Sequence, residues 1–177
     1  MKTHTPTVRP ATPSDADAIW AILEPHIRAG KTYTLPRKMP REQALAWWFA
    51  PEHEVFAAEI DGVLAGTYFL RPNYGGGGAH VANCGYMTAP HAQGHGVGRA
   101  MCAHSLKTAR ARGFFAMQFN FVVSTNFHAV KLWRSFGFEI AGRLPQAFEH
   151  PSMGRVDALV MYRRLDGIPD ETETPAP

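Results

Sequence analysis

The chain has 177 residues, which suits a single domain that buries roughly two-thirds of the surface exposed by its unfolded chain. A hydrophobic fraction of 45% favours an ordinary globular core, and the absence of a long apolar run or apolar N-terminal segment predicts a cytoplasmic protein without a membrane partner. Two cysteines are too few for a disulfide framework, and a net charge of +3 without a basic run argues against a nucleic-acid partner.

The charges are unevenly distributed along the chain. Residues 166–177 contain four acids and no base, which predicts a disordered acidic tail after a single domain over residues 1–165. No Asp or Glu occurs from Gly62 to Phe138, although that stretch carries seven Lys and Arg residues. This pattern favours a positive field around a polyanionic ligand.

The first quarter of the chain predicts a strand followed by two helices. A short strand covers 7–12, and Thr12 precedes Pro13 as the N-cap of a helix with apolar residues at helical spacing. Gly30 ends that helix. A loop follows over 31–40, and residues 41–50 predict a second helix.

The remaining elements alternate between strands and helices. Two apolar runs joined by Asp61-Gly62 predict a β-hairpin over 54–70, and a further strand covers 80–88. A helix over about 96–112, a strand over 114–123 and a helix over 124–136 follow, and strands over 138–144 and 157–165 close the pattern. The order predicts an α/β (α+β) fold whose mixed sheet has helices on both faces, with parallel strands after the two crossovers.

A glycine-rich turn connects the strand over 80–88 to the next helix. Its residues are Gln93-Gly94-His95-Gly96-Val97-Gly98-Arg99-Ala100. They lack the Lys-Ser/Thr of a P-loop, and the spacing and missing acid differ from a dinucleotide-binding turn. Glycines at a helix N-terminus let successive amides face one anion, so we expect a pyrophosphate site.

A second motif follows the strand over 114–123. Asn126, Ala129, Leu132, Trp133, Gly137 and Phe138 are spaced as in an N-x-x-A-x-x-L-Y-x-x-x-G-F segment. Together the two motifs resemble the GNAT superfamily of N-acetyltransferases, over roughly residues 7–164. The resemblance implies a twisted sheet with splayed central parallel strands and acetyl-coenzyme A as co-substrate. The cofactor-binding residues it implies are Met87, Thr88, Gln93, Gly94, His95, Gly96, Val97, Gly98, Arg99, Ala100, Ser124, Asn126, Ala129 and Trp133.

Two catalytic groups of that superfamily are not evident in this chain. A backbone N–H near Met87 is expected to face the thioester carbonyl and stabilise the oxyanion. Trp133 stands where many relatives have a tyrosine acid, and an indole cannot act as a general acid. The thiolate then leaves unaided, or Tyr86 or Ser124 supplies the proton. For the base, Glu24, Glu59, Glu149, Asp157 and a water chain held by amides all stay open.

The substrate is expected to be a small amino or imino acid. The C-terminal half of the domain resembles the fungal-type acetyltransferases of L-azetidine-2-carboxylate and related proline analogues, which carry three asparagines at this spacing. That resemblance assigns Asn83 and Asn120 to the substrate and to catalysis, and Asn126 to the cofactor. Tyr33 and Phe121 are expected to form aromatic walls.

Other activities compete with this interpretation. The N-terminal segment also resembles the phosphinothricin and methionine-sulfone acetyltransferases, although the acid they carry near Tyr33 is missing. A non-catalytic acyl-CoA sensor and a peptide N-terminal acetyltransferase are the further alternatives. His91 and His95 lack the glutamate of a zincin motif, so we expect no metal. Homodimers are frequent in similar folds, and a homodimer is expected here by analogy only.

Overall fold

The computed structural model describes residues 5–168 as seven strands and four helices. The predicted acidic tail starts at Asp166, and its part from 169 to 177 lies outside the described residues. The strands are β1 Thr7–Pro10, β2 Glu54–Ile60, β3 Val63–Pro72, β4 Val81–Thr88, β5 Ala116–Val123, β6 Glu139–His150 and β7 Gly154–Arg164. The helices are α1 Ala16–Ala29, α2 Arg41–Trp48, α3 Val97–Ala111 and α4 Phe127–Ser135.

All seven strands form one mixed sheet in the order β1-β2-β3-β4-β5-β7-β6. The β2–β3 hairpin turns at Asp61 and Gly62, whose φ angles of 52° and 78° are the left-handed values that an Asp-Gly turn provides. Among the strands of residues 5–168, only β4 and β5 pair in parallel. β7 lies between β5 and β6, so the second crossover does not produce a directly paired parallel strand.

The parallel pair separates soon after it begins. β4 and β5 are paired at Val81–Ala116 and Ala82–Met117, and no register pair follows along the rest of β4. The backbone of β4 after Ala82 therefore has an edge unpaired with β5 inside the sheet. This opening confirms the predicted splay and places a cleft at the centre of the molecule.

Helices cover both faces of the sheet, as predicted. On one face, His104 of α3 hydrogen-bonds the Tyr68 hydroxyl at 2.7 Å. On the other face, the Trp48 indole of α2 donates to the Thr67 hydroxyl at 3.1 Å. Because side chains alternate along β3, these neighbouring residues anchor helices on opposite sides.

The ends of the elements follow their local chemistry. Gly30 ends α1 in the left-handed conformation (φ 62°), as expected. The helix predicted over 124–136 starts later, at Phe127, because Asn126 caps it by accepting the Ala129 N–H at 3.3 Å. β6 is longer than its predicted range of 138–144, since it continues through a register irregularity between Leu144 and Phe148.

Candidate active site

A cavity lined by both strands lies where β4 and β5 separate. It has a volume of about 740 Å³ and extends from the loop after α1 to the start of α3. The predicted site residues on its wall are Tyr33, Asn83, Met87, Thr88, Gln93, Gly94, Gly96, Val97, Gly98, Asn120, Phe121, Asn126, Ala129 and Trp133. His95, Arg99, Ala100 and Ser124 lie outside this lining.

The glycine turn leaves backbone amides available at one end of the cavity. Gly94 and Gly96 have φ angles of 81° and 78°, and a Cβ on either would meet nothing within 4 Å. The first intrahelical bond of α3 runs from the Ala100 N–H to the Gly96 carbonyl at 2.9 Å. The amides before Ala100 therefore have no acceptor inside the helix, and they lie at its positive end. These features fit a pyrophosphate.

Gly98 serves a different purpose from the other two glycines. A Cβ at Gly98 would lie 3.2 Å from Cδ2 of Leu132 in α4. The absence of a side chain therefore lets α3 pack closely against α4. The motif predicts the same role for all three glycines. In the structure, a Cβ would meet open space at Gly94 and Gly96 but not at Gly98.

Every second residue of β4 directs its backbone N–H toward the edge that is not paired with β5. Ala89 donates its N–H to Ala65 of β3 at 2.8 Å, and amides alternate along a strand, so the Met87 N–H also faces β3. Met87 lines the cavity, but its own N–H is turned away from the edge predicted for the oxyanion. The amides that face the edge on either side of it belong to Tyr86 and Thr88.

Two side chains hold the exposed carbonyls of that edge. The Tyr33 hydroxyl donates to the Tyr86 carbonyl at 2.9 Å, and the His26 Nε2 lies 2.8 Å from the Thr88 carbonyl. Burial raises the pKa of Tyr33 above its ordinary value, so the hydroxyl keeps its proton at neutral pH. Tyr33 is therefore a neutral wall of the cavity and a fixed donor to β4.

The predicted substrate amides are both held by β5. Asn83 is 8% exposed, and its Nδ2 donates to the Gln118 carbonyl at 2.8 Å. Asn120 accepts the Gln118 side-chain amide at 2.8 Å and exchanges hydrogen bonds with Asn73. Asn73 and Gln118 were not singled out from sequence, because a loop asparagine and a strand glutamine carry no distinctive local signal.

The hydroxyls considered as proton donors are not directed at the cavity. Tyr86 lies against the Trp133 ring, with ring centroids 4.8 Å apart, while its hydroxyl is 2.7 Å from the Ser105 Oγ in α3. Burial raises the pKa of Tyr86 well above its ordinary value. Ser124 lies outside the cavity lining. The structure thus provides neither Tyr86 nor Ser124 as an acid.

The carboxylates considered as bases lie away from the cavity wall, which contains no Asp or Glu among residues 5–168. Glu24 pairs with Arg28 at 3.4 Å, and Glu59 pairs with Arg9 at 2.5 Å. Asp157 pairs with Arg143 and accepts a backbone N–H. Glu149 lines a separate, smaller pocket beside the loop after α1.

Arg71 lies beside the site, although it does not line the cavity itself. It lies opposite Asn83 in the β3–β4 register, and paired residues project on the same face. Its Nε is buried and has no hydrogen-bond acceptor among residues 5–168. A buried guanidinium nitrogen without an acceptor favours an anion as its partner.

Among residues 5–168 no cluster of three or more His, Cys, Asp or Glu side chains is arranged to hold a metal ion. None of the helices in that range is long and apolar enough to cross a membrane. Both cysteines are free and buried, and burial raises the pKa of Cys84, on the cavity wall, to about 12.

Comparison with known proteins gives concordant matches. The model of the acetyltransferase (GNAT) family matches residues 20–138. The N-acetyltransferase aca1 of Schizosaccharomyces pombe is 29% identical over 161 residues, covering 81% of this chain and 77% of the relative. The structure of a GCN5-related N-acetyltransferase from Kribbella flavida has 41% sequence identity and a TM-score of 0.86, covering 90% of this chain and 97% of the other. The acetyltransferase yncA of Salmonella typhimurium, solved with acetyl-CoA, has 25% identity and a TM-score of 0.79, covering 97% of each chain.

Proposed function

The chain belongs to the acetyltransferase (GNAT) family and is an acyltransferase, and on that premise we propose that it transfers an acetyl group from acetyl-CoA to a small amino or imino acid. We propose L-azetidine-2-carboxylate or a related proline analogue as the substrate. The observation that carries the substrate assignment is the pair of hydrogen-bonded amides, the buried Asn83 and the half-buried Asn120, on a cavity wall without carboxylates.

The proposed acetyl-CoA site combines the glycine turn and the unpaired edge of β4. The amides at the start of α3 bind the pyrophosphate, and Asn126 at the start of α4 lines the same cavity. Tyr86 and Thr88 present their amides to the pantetheine arm and the thioester end. Acetyl-CoA supplies the activated acetyl group when it is bound.

The chemistry of the wall favours a small anion with an uncharged amine. Asn120 on the wall keeps one N–H donor for a carboxylate, and the buried Arg71, paired with Asn83 in the β3–β4 register, adds a positive charge beside the wall. No acid among residues 5–168 lines the cavity to bind an ammonium ion. Because no carboxylate lines the cavity, we propose that water held by the amides removes the amine proton.

Thiol release from acetyl-CoA tests this proposal directly. L-azetidine-2-carboxylate, phosphinothricin, methionine sulfone and a short peptide are supplied in parallel at equal concentrations. We expect turnover with the azetidine to exceed the others, and Asn83→Ala to lower its kcat/KM at least about tenfold, since hydrogen bonds to charged groups contribute about 1.5–3 kcal/mol. Gln43→Ala, which removes an exposed amide from α2, should leave kcat/KM unchanged.

Each other result identifies a different function. Preferred turnover of phosphinothricin or the sulfone would assign the chain to that substrate class, and preferred turnover of the peptide would make it a peptide N-terminal acetyltransferase. Acetyl-CoA binding with no thiol release for any amine would favour a sensor. Turnover of the azetidine that survives Asn83→Ala would contradict the assignment of the substrate to the amide wall.

A further inference from the structure

Asn73 forms a reciprocal hydrogen-bonded pair with Asn120. The Asn73 Nδ2 donates to the Asn120 Oδ1 at 3.1 Å, and the Asn120 Nδ2 donates to the Asn73 Oδ1 at 2.6 Å. Asn73 is 5% exposed and is not part of the cavity lining, whereas Asn120 is. Its backbone is fixed separately, because its N–H donates to the Val81 carbonyl at 2.7 Å.

These bonds determine what Asn120 can offer to a ligand. A side-chain amide has two acceptor lone pairs and two N–H donors. The Asn120 Oδ1 already accepts from Asn73 and from Gln118, at 3.1 and 2.8 Å. One Nδ2 hydrogen is directed at Asn73. The remaining hydrogen-bonding capacity of Asn120 is therefore one N–H donor.

The backbone around Asn120 explains why the side chain needs such support. Phe119 is opposite Met161 and Val122 is opposite Leu159, so two residues of β5, Asn120 and Phe121, occupy the space of one residue of β7. A β-bulge of this kind interrupts the ladder and redirects side chains. Side-chain hydrogen bonds to Asn73 and Gln118 then hold Asn120 where the hydrogen bonds of a regular ladder are missing.

Asn83 has the complementary capacity. Its Nδ2 donates one hydrogen to the Gln118 carbonyl at 2.8 Å, and its Oδ1 has no donor among residues 5–168. An acceptor oxygen therefore remains at Asn83, while none remains at Asn120. Gln118 connects the two, because its carbonyl holds Asn83 and its side chain holds Asn120.

We propose that Asn73 is a positioning residue that fixes Asn120 as a donor-only group for the substrate carboxylate and leaves Asn83 to accept the hydrogen of the substrate amine. The assignment of ligand groups rests on the proposed function. The orientation of Asn120 by Asn73 does not, since it follows from the hydrogen bonds of the chain itself.

A kinetic cycle separates a positioning role from a merely structural one. We expect Asn73→Ala to raise the KM for azetidine-2-carboxylate about tenfold, equivalent to about 1.4 kcal/mol, with kcat and the KM for acetyl-CoA little changed. In an Asn120→Ala background the same substitution should have no further effect on that KM. A KM unchanged by Asn73→Ala, or raised equally in both backgrounds, would overturn the proposal.

A matched ligand and a matched variant test whether Asn120 acts on the substrate only as a hydrogen-bond donor. Azetidine-2-carboxamide replaces the carboxylate by a group that can also donate, and we expect Asn73→Ala, which frees the Asn120 Oδ1, to reduce the preference for carboxylate over carboxamide at least about fivefold. Asn73→Asp keeps the acceptor for the Asn120 Nδ2 but removes the donor to its Oδ1, and it should reduce the preference further. An unchanged preference in both variants would show that Asn120 does not read the carboxylate.

A measurement without turnover distinguishes failure of this inference from failure of the proposed function. The side-chain amide signals of Asn120 are assigned by ¹⁵N NMR in the full chain. We expect Asn73→Ala to shift and broaden them, and the exposed-amide variant Gln43→Ala to leave them in place. Unchanged Asn120 signals in Asn73→Ala would refute the positioning role, even if the protein acetylates the azetidine. Shifted signals in a protein that acetylates none of the amines would retain the positioning role and reject the substrate.

Discussion

Cys84 shows how burial decides the role of a reactive residue. The thiol lies on the cavity wall, but burial raises its pKa to about 12, so at pH 8 only about one thiol in 10,000 is ionised. An acetyl group passed through a cysteine would require the thiolate. We therefore predict that Cys84→Ala keeps kcat within about twofold and that initial-rate plots intersect, as direct transfer requires. Parallel initial-rate lines together with an inactive Cys84→Ala would contradict this prediction.

Trp133 and Tyr86 explain why the usual acid has no substitute nearby. The Trp133 ring packs against Tyr86 and Phe119, with centroid distances of 4.8 and 5.0 Å. Tyr86 directs its hydroxyl to Ser105 on the α3 face instead of the cavity. The indole therefore completes an aromatic layer between β4, β5 and α4. We propose that water delivers the proton to the leaving thiolate, because Trp133 has no ionisable acid group.

At the scale of an element, the N-terminus of α3 combines a left-handed glycine with the proposed pyrophosphate site. Gly96 has a φ of 78°, and Gly62 in the β2–β3 turn has the same φ, with nothing within 4 Å of a Cβ at either position. Alanine at either site should lower the free energy of unfolding by about 1 kcal/mol, because L-residues disfavour this conformation. Only Gly96→Ala should weaken coenzyme A binding, by about tenfold or 1.4 kcal/mol in calorimetry.

Gly62→Ala is the control for strain in that comparison, since its turn lies outside the cavity lining. Equal loss of coenzyme A affinity in both variants would mean that general destabilisation, and not the amide cradle, is responsible. Retained affinity in Gly96→Ala would remove the glycine turn from the binding site.

The individual helices, strands and turns show which parts of the fold could be predicted from sequence. Asp61-Gly62 and Gly30 determine backbone conformation locally, so the hairpin and the end of α1 were predicted correctly. The extension of β6 was missed because Pro145 and the left-handed Gln146 (φ 52°) interrupt its alternating pattern, as a bulge does. The Asn73–Asn120 pair was missed because it joins residues 47 positions apart, which no local pattern encodes.

At the scale of the whole molecule, the sheet topology assembles the site. β4 and β5 are neighbours in the sheet, and their separation after Ala82 opens a cavity that residues of α1, α3 and α4 line. The glycine motif indicated one wall of this cavity and the asparagine motif indicated another. The two motifs are far apart in sequence, and the parallel pairing of β4 with β5 brings them to the same cavity. Their proximity could therefore be predicted only together with the fold.

The positive field predicted from the missing acids can be tested at Arg99. Arg99 is exposed in the first turn of α3, and its guanidinium lies 5.2 Å from the centroid of the Phe136 ring. Arg164 has a similar arrangement, 5.1 Å from the Phe115 ring, but lies at the end of β7 and pairs with Asp166. We predict that Arg99→Ala raises the KM for acetyl-CoA about threefold to fivefold at low salt, because it removes one exposed charge near the proposed pyrophosphate site.

The salt dependence and a comparison with Arg164 distinguish an electrostatic effect of Arg99 from an effect of its packing on Phe136. Arg99→Ala and Arg164→Ala each remove a cation from a phenylalanine ring, so a packing effect should appear in both. A field effect should appear only in Arg99→Ala and should shrink as NaCl approaches about 0.5 M, where the Debye length is a few ångströms. Steady-state KM values at several salt concentrations decide between them. A difference at Arg99 that persists at high salt would assign it to contacts with Ser135, the last residue of α4, and with Phe136, which follows it, instead of to long-range attraction.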